Sequence, residues 1–341
     1  MILNAPKKIS IKSAIPKRLK WGVAGCGNFA ETTFLPSLQF VKLSRLVSVF
    51  SHDLNRAKQV SQKFGAPNAF NDFDAFLKSD IDAVYISSNT ADHYWQVIKS
   101  AEAGKHILCE KPIALNSSQI EEMIDVCKRN NVKLVINHLH RFHPLIIKVK
   151  ELLDKQLIGK IVSINASYHL NRPPDDNFRF KKQISGGGVL RDLGSQMIDL
   201  LRYFGGEISE TKAFMDNVVY KSEVEDFASV SMKFDKGGFG HFSVSYDTKK
   251  PILRVEIIGL NGAISIDGYY EKRNISTKFT IDLYGEAKKV FRKRFNKISF
   301  MIRSVQRSFL KNEIALVTGE DGLINMHIIE DIERQCHSEK N

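Results

Sequence analysis

The first part of the chain alternates short apolar runs with stretches of helical periodicity. Apolar runs that predict buried strands lie at residues 19–24, 46–50, 83–87, 106–109 and 133–136. Helical patterns separate them at residues 28–40, 55–64, 72–77, 93–104 and 118–130. Buried strands that alternate with helices are typical of a parallel sheet covered on both faces. We therefore expect an α/β Rossmann domain with a doubly wound parallel sheet over residues 19–140.

From about residue 160, apolar and polar residues alternate as in half-buried strands. This alternation covers residues 160–170, 227–234, 240–246 and 253–258, with glycine-containing turns at 235–238 and 260–262. One helix is predicted over residues 192–204, after three glycines at 186–188. The pattern predicts an α+β domain with a large open antiparallel sheet over residues 141–341. An exposed apolar sheet face would form the interface of a homodimer or homotetramer.

The turn after the first strand carries the pattern G-x-G-x-x-A, formed by Gly25, Gly27 and Ala30. Glycine suits a tight strand-to-helix turn and lets a pyrophosphate approach the backbone closely. The helix that opens at Asn28 and Phe29 would direct its unpaired N–H groups at that phosphate. We predict a dinucleotide site here, and a turn without a ligand is the alternative.

The end of the second strand bears on the choice of coenzyme. NAD-selective sites carry an acidic residue there, which binds the ribose 2′-hydroxyl. Here the strand ends at Ser51, with His52 next and Arg56 a few residues later. An uncharged residue beside cationic groups favours NADP over NAD. Asp53 could still bind the ribose if the strand ended two residues later.

A third candidate segment follows the strand at residues 83–87. Ser88, Asn89 and Thr90 lie where the carboxyl end of that strand would present them to a ligand. They are plausible cofactor contacts, and a polar loop that caps the next helix is the alternative. His93 starts that helix, either as a cofactor contact or as a surface residue.

Composition narrows the class of protein. A length of 341 residues suggests two domains, and the net charge of +12 favours anionic partners such as a phosphate-bearing cofactor. No DNA- or RNA-binding motif accompanies that charge, and no apolar run is long enough to span a membrane. Residues 1–18 are interpreted as a basic extension. The cysteines lack metal-ligand spacing and indicate a reduced, cytoplasmic protein; they are Cys26, Cys109, Cys127 and Cys336.

Basic residues and an apolar stripe coincide over residues 288–311. The stripe has helical spacing and consists of Phe295, Ile298, Ile302, Val305 and Phe309. A basic amphipathic helix can bind an anionic membrane surface. We favour the alternative, in which the stripe packs on its own domain and the charges are solvated.

Three segments together resemble the Gfo/Idh/MocA family, the group of glucose-fructose oxidoreductase and inositol dehydrogenase. They are AGCGNFA at residues 24–30, GKHILCEKP at 104–112 and GGGVLRDLGSQMIDL at 186–200. The resemblance covers nearly the whole chain from residue 19. It implies an NAD(P)-dependent enzyme that acts on sugars or related polyols, with a C-terminal sheet used for assembly.

The resemblance also implies site residues. Lys111 matches the family's active-site lysine, Glu110 either pairs with it or contacts the cofactor, and Arg179 is implied as a cofactor contact. Asp192 matches the substrate-binding aspartate. The residue four positions later, often histidine in the family, is Gln196 here. A neutral amide can orient a hydroxyl group but cannot act as a base near pH 7.

This departure leaves several interpretations open. Lys111 could do the acid–base chemistry, alone or with Asp192, or another group could enter the site from among Tyr168, His169 and His143. We favour an oxidoreductase that moves a hydride between nicotinamide and a sugar carbon. The alternatives are a non-catalytic sensor and a redox-neutral, NAD-dependent lyase or hydrolase. The basic charge inclines the substrate towards a phosphorylated or nucleotide-linked sugar.

Overall fold

The structure is a computed structural model that describes residues 18–268, 276–294 and 296–338. The predicted extension, apart from Arg18, and Phe295 of the predicted stripe lie outside the described residues.

The first sheet has six parallel strands in the order β3-β2-β1-β4-β5-β6. Their bounds are β1 Leu19–Ala24, β2 Ser44–Phe50, β3 Asn68–Phe70, β4 Ala83–Ile86, β5 His106–Cys109 and β6 Leu134–Ile136. The helices around them are α1 Leu35–Leu38, α2 Leu54–Phe64, α3 Phe73–Leu77, α4 Thr90–Glu102 and α5 Ser117–Arg129. The predicted doubly wound parallel sheet is thus confirmed, and its strand order reverses between β1 and β4.

Two boundaries differ from the sequence expectation. Helix α4 begins at Thr90, three residues before the predicted start at His93. The predicted helix over residues 28–40 contains a π-helical turn, Ala30–Phe34, before α1. Leu35 donates its N–H to the carbonyl oxygen of Ala30, five residues back. The wider turn directly precedes Pro36, which has no N–H to donate to an ordinary helical turn.

The second sheet has eight strands in the order β14-β13-β12-β11-β7-β10-β9-β8. They are β7 Ile161–Asn171, β8 Ile208–Asp216, β9 Phe227–Phe234, β10 Phe239–Ser245, β11 Asp247–Gly259, β12 Gly262–Asp267, β13 Ser276–Leu283 and β14 Lys289–Arg294. Strands β10 and β7 run parallel, and the other neighbouring pairs in the described part of this sheet are antiparallel. The predicted open, mostly antiparallel sheet is confirmed.

The remaining helices precede, interrupt or follow the strands of the second sheet along the chain. They are α6 Pro144–Asp154, α7 Lys182–Ser185, α8 Ser195–Gly205, α9 Lys297–Lys311 and α10 Gly319–Ser338. A π-helical turn, Leu190–Gly194, leads into α8. Among these described segments no helix is long and apolar enough to cross a membrane. The described residues also contain no group of three or more His, Cys, Asp or Glu side chains that could hold a metal ion.

Helix α9 buries the apolar stripe of the basic amphipathic segment, as the favoured interpretation expects. The contacts of Phe309 and Gln306 reach residues of the first domain. Phe309 stacks on His106 with a centroid distance of 4.9 Å and lies 5.9 Å from the ring of Trp21. Gln306 donates to the backbone carbonyl oxygens of Lys42 and Leu43. The domain division at residue 140 stays a prediction, and α9 packs across it.

Candidate active site

The glycine turn after β1 has one glycine that the fold requires and one that it does not. Gly25 has φ +96°, and a Cβ there would lie 2.5 Å from the backbone nitrogen of Ser88. A Cβ on Gly27 would meet only the carbonyl oxygen of Ser87, at an ordinary 3.8 Å. The protein itself would tolerate a side chain at Gly27. Its small size therefore fits the close approach of a ligand, as a pyrophosphate would make.

The end of β2 lies at the same cleft. The strand stops at Phe50, and Ser51, His52 and Arg56 line the cleft. Asp53 instead caps helix α2, where its Oδ1 accepts the N–H of Asn55 at 2.8 Å. The condition under which Asp53 would bind the ribose, a strand two residues longer, is therefore not met.

Charges at this end of the cleft are partly paired. Arg56 donates to the carbonyl oxygen of Cys26 at 3.1 Å and forms an ion pair with Glu31. Lys63 pairs with the same carboxylate at 2.7 Å. The Nε2 atom of His52 lies 3.3 Å from Asp92 Oδ2. Two cations thus share the carboxylate of Glu31, which leaves this group positively charged.

The loop after β4 also reaches the cleft. Ser88 and Asn89 line it, and Ser88 donates its hydroxyl to Gln96 Oε1 at 2.7 Å. The ring nitrogens of His93 lie 2.9 Å from the carbonyl oxygen of Pro112 and 3.2 Å from that of Ser88. Burial lowers the pKa of His93, so the ring is neutral near pH 7. His93 is not the surface residue that one sequence interpretation proposed.

Lys111 lies directly beyond β5, before a cis peptide bond to Pro112. Its Nζ donates to Asp192 Oδ1 at 2.6 Å and to the Asp192 carbonyl oxygen at 2.9 Å. Glu110 Oε1 accepts from Tyr85 Oη and from Asn137 Nδ2, both at 2.6 Å. The Lys111–Asp192 ion pair thus joins the first domain to the π-helical turn that precedes α8.

Asp192 gathers donors from four segments of the chain. Besides Lys111, its carboxylate accepts from Tyr246 Oη at 2.9 Å and from Arg172, with Arg179 Nε at 3.5 Å. Burial alone would raise the pKa of Asp192, but the three cations outweigh burial and hold this pKa well below its usual range. Burial and the charge of Asp192 raise the pKa of Tyr246 well above its usual value. Asp192 is therefore ionised and Tyr246 is neutral.

Gln196 lies one turn after Asp192 and lines the cleft, as the i, i+4 spacing predicts. Its Nε2 is buried and has no hydrogen-bond partner within the described residues. Tyr168, His169 and His143 do not line the cleft. Tyr168 is buried against the ring of His140, His169 hydrogen-bonds to serines of β10, and His143 caps helix α6. Their proposed entry into the site is wrong.

One cavity of about 730 Å³ is lined by most of the site residues named from the sequence, with Asp53, His143, Tyr168 and His169 as the exceptions. Those that line it include Gly25, Gly27, Asn28, Phe29, Ser51, His52, Arg56, Ser88, Asn89, His93, Glu110, Lys111, Arg179, Asp192 and Gln196. Sequence reasoning missed Asn137, after β6, and Tyr246, after β10. Their positions at strand ends were the only available signal.

Family comparison agrees with this geometry. The profile of an oxidoreductase family with an NAD-binding Rossmann fold matches residues 19–138, and the C-terminal domain profile of the same family matches residues 146–265. The chain belongs to the Gfo/Idh/MocA family. It is thus an oxidoreductase of an NAD(P)-binding family.

Members of the Gfo/Idh/MocA family with known names resemble most of the chain. An oxidoreductase from Formosa agariphila is 28% identical over 276 residues, which are 78% of this chain and 85% of the relative. Myo-inositol 2-dehydrogenase from Thermotoga maritima is 27% identical, covering 89% of this chain and 92% of the relative. The fold matches aldose-aldose oxidoreductase from Caulobacter crescentus with a TM-score of 0.86 at 24% identity, covering 94% and 98% of the two chains.

Proposed function

We propose that this protein transfers a hydride between a nicotinamide coenzyme and a carbon of a sugar or sugar derivative. The observation that supports it most strongly is the Lys111–Asp192 ion pair, which lies in the same cavity as the open side of Gly27. Sugar and polyol substrates appear in the names of its relatives. When bound, the nicotinamide supplies or accepts the hydride.

Lys111 is the proton-sharing group of this proposal. An ammonium group has three N–H donors, and two of those of Lys111 are directed at Asp192. The third can hydrogen-bond to the oxygen on the reacting carbon of the substrate. In reduction of a carbonyl group the ammonium gives that oxygen a proton, and in oxidation of an alcohol the neutral amine takes it back.

Asp192 and Gln196 orient the reacting groups. The ionised carboxylate of Asp192 fixes the ammonium of Lys111, and the neutral hydroxyl of Tyr246 holds the carboxylate in turn. The unpartnered Nε2 of Gln196 is a buried donor at the cleft, where a substrate oxygen would satisfy it. Gln196 thus binds substrate but transfers no proton.

NADP is the coenzyme we infer, bound by the glycine turn after β1 and by the residues after β2 and β4 that line the cleft. Ser51 at the end of β2 brings no negative charge against a 2′-phosphate, and the Arg56–Lys63–Glu31 group carries a net positive charge. Calorimetric titration with NADP and with NAD tests this inference, and tighter binding of NAD would contradict it.

We also propose a homodimer or homotetramer that associates through the large sheet. Phe214, Phe239 and Ile252 alternate with buried positions of their strands and are exposed. Light scattering of the purified protein measures the assembly. A monomer at micromolar concentration would contradict this proposal.

The hydride-transfer proposal is tested with purified protein, NADPH deuterated at the transferred position and a panel of keto sugars. We expect nicotinamide absorbance to fall and deuterium to appear on the reduced sugar carbon. Because Gln196 cannot move a proton, a non-catalytic sensor is the second candidate function. Tight coenzyme binding without turnover on any sugar would favour that second function. Elimination or hydrolysis without net coenzyme consumption would instead indicate a redox-neutral lyase or hydrolase.

A further inference from the structure

The part of the cleft around Asp192, here called the substrate end, carries more positive than negative charge among the described residues. Lys111, Arg172 and Arg179 all face the carboxylate of Asp192. Glu110 is a second carboxylate there, so in the part of the chain that the structure describes three cations face two anions. Arg191 also lines the cleft but forms a bidentate pair with Glu333.

Asp192 is already used by its protein partners. Its Oδ1 accepts from Lys111, and its Oδ2 accepts from Arg172 and Tyr246 with Arg179 nearby. A carboxylate has about four lone-pair sites. Asp192 therefore organises the surrounding donors and has little capacity left to bind a substrate hydroxyl.

Both arginines are held in place by aromatic rings. The guanidinium carbon of Arg172 lies 5.2 Å from the ring centre of Tyr246, and that of Arg179 lies 4.7 Å from the ring centre of Phe178. The face of an aromatic ring attracts a cation, and a planar guanidinium has N–H donors along its edges that suit planar or tetrahedral oxyanions. Some of these donors already bind Asp192 and, for Arg179, the Oδ1 atom of Asn177 at 3.3 Å. The geometry thus places two guanidinium groups, each over an aromatic ring, at the substrate end of the cleft.

We propose that the substrate carries an anionic oxygen group, a carboxylate or a phosphate, which Arg172 and Arg179 bind. This proposal rests on the proposed function and names its substrate class. The exposed carboxylates of the intervening loop, Asp175 and Asp176, do not line the cleft and so add no negative charge to it. An anionic sugar would restore the balance at a partly dehydrated site, where unbalanced charge is unfavourable.

Calorimetry on the full chain saturated with NADP tests the proposal. D-glucuronate supplies a carboxylate, D-glucose 6-phosphate a phosphate and D-glucose neither. We expect at least one of the two anionic sugars to bind about tenfold or more tightly than glucose. The advantage should shrink as salt is added. Equal affinity for all three sugars, or no binding of either anionic sugar, would overturn the proposal.

Variants of Arg179 test whether this residue provides the preference for anionic sugars. Arg179→Gln should weaken binding of the anionic sugar about tenfold and leave the affinities for glucose and NADP unchanged, while Arg179→Lys should recover part of the loss. Arg254→Gln removes the same charge from an exposed site on β11 and is the matched control. Weaker NADP binding in Arg179→Gln, with anion binding intact, would instead make Arg179 a cofactor contact and contradict the proposal.

The two proposals can fail separately. An anionic sugar that binds through Arg179 without any change in nicotinamide absorbance contradicts hydride transfer but supports the anion site. Glucose that is turned over and bound as well as its anionic counterparts contradicts the anion site but supports hydride transfer.

Discussion

At the scale of single residues, Gln196 decides how the site can move protons. It occupies the position from which a histidine would face Asp192 across one helical turn, and its buried amide can only donate or accept hydrogen bonds. In the proposed mechanism the proton path therefore depends on Lys111 and on the carboxylate that holds it.

Gln196→His adds a titratable group to that path. We expect about a tenfold or larger gain in turnover and a new inflection in the pH–rate profile near a pH of about 6.5. The same substitution at the exposed Gln62, far along helix α2, is the control and should change neither. An unaltered rate and pH profile in Gln196→His would show that this side chain is not at the reacting centre.

Asp247, directly after Tyr246, gives a stability prediction. Burial and the charge of Asp226 raise its pKa to about 6. Between about pH 4 and 6 the folded state keeps a proton on Asp247 that the unfolded state has released. Asp247 therefore lowers the free energy of unfolding increasingly over this range, and by a constant amount above about pH 6.

Asp247→Asn removes that penalty. The variant should be more stable than the wild type by about 1–2 kcal/mol at pH 8, allowing for partial exposure, and by much less at pH 4. Urea unfolding at both pH values measures the difference, with Asp176→Asn in an exposed loop as control. A stabilisation that is independent of pH would contradict the raised pKa of Asp247.

At the scale of elements, the two glycines of the turn after β1 have different roles, Gly25 in folding and Gly27 in ligand binding. Gly27→Ala should leave stability nearly unchanged, because its Cβ meets no atom of the described protein closer than 3.8 Å, and should weaken NADP binding at least about tenfold. Gly25→Ala should destabilise the fold, because its Cβ would lie 2.5 Å from Ser88 N at a positive φ. Thermal unfolding and coenzyme titration distinguish the two effects. Unchanged NADP affinity in Gly27→Ala would contradict the phosphate site.

Elements with a strong periodic pattern were predictable from the sequence. Strands β5 and β9 have the predicted bounds, because apolar runs and clean alternation report burial directly. Strand β3 has only three residues, and β14 is dominated by basic residues, so neither gives such a pattern. The start of α4 was misplaced because Asn89 precedes the helix without a side-chain cap.

The site residues were also only partly predictable from the sequence. The glycine turn, Lys111 and the Asp192–Gln196 spacing are local motifs and could be read from the chain. Tyr246 and Asn137 could not, because strand periodicity does not tell which strand ends meet at the cleft. Lys111 and Asp192 are 81 residues apart in the chain, and their contact depends on how the two sheets pack.

At the scale of the whole molecule, the C-terminal helices tie the two sheets together. On α10, Glu330 accepts from the backbone nitrogen and hydroxyl of Ser117 in the first domain, and Asn325 donates to Asp199 on α8. Helix α9 packs Phe309 on Trp21 and His106. The two halves therefore share buried contacts on which the geometry of the cleft depends.

We expect the chain to unfold as one cooperative unit. Phe309→Ala should lower the free energy of unfolding by about 3 kcal/mol, because a large buried ring is lost at the contact between the halves. Phe40→Ala removes an exposed ring and should have little effect. Tryptophan fluorescence and circular dichroism should give coincident urea transitions, and two separate transitions would contradict this account.

The central claim is that Lys111, held by Asp192, shares a proton with the substrate beside a bound nicotinamide. The most direct test compares Lys111→Met with the wild type in two quantities, the NADPH dissociation constant and the rate of hydride transfer in a single turnover. The account predicts a nearly unchanged dissociation constant and a rate reduced by about 10²–10⁴-fold. A variant that transfers hydride as fast as the wild type, or a wild-type protein that binds neither NADPH nor NADH, would contradict it.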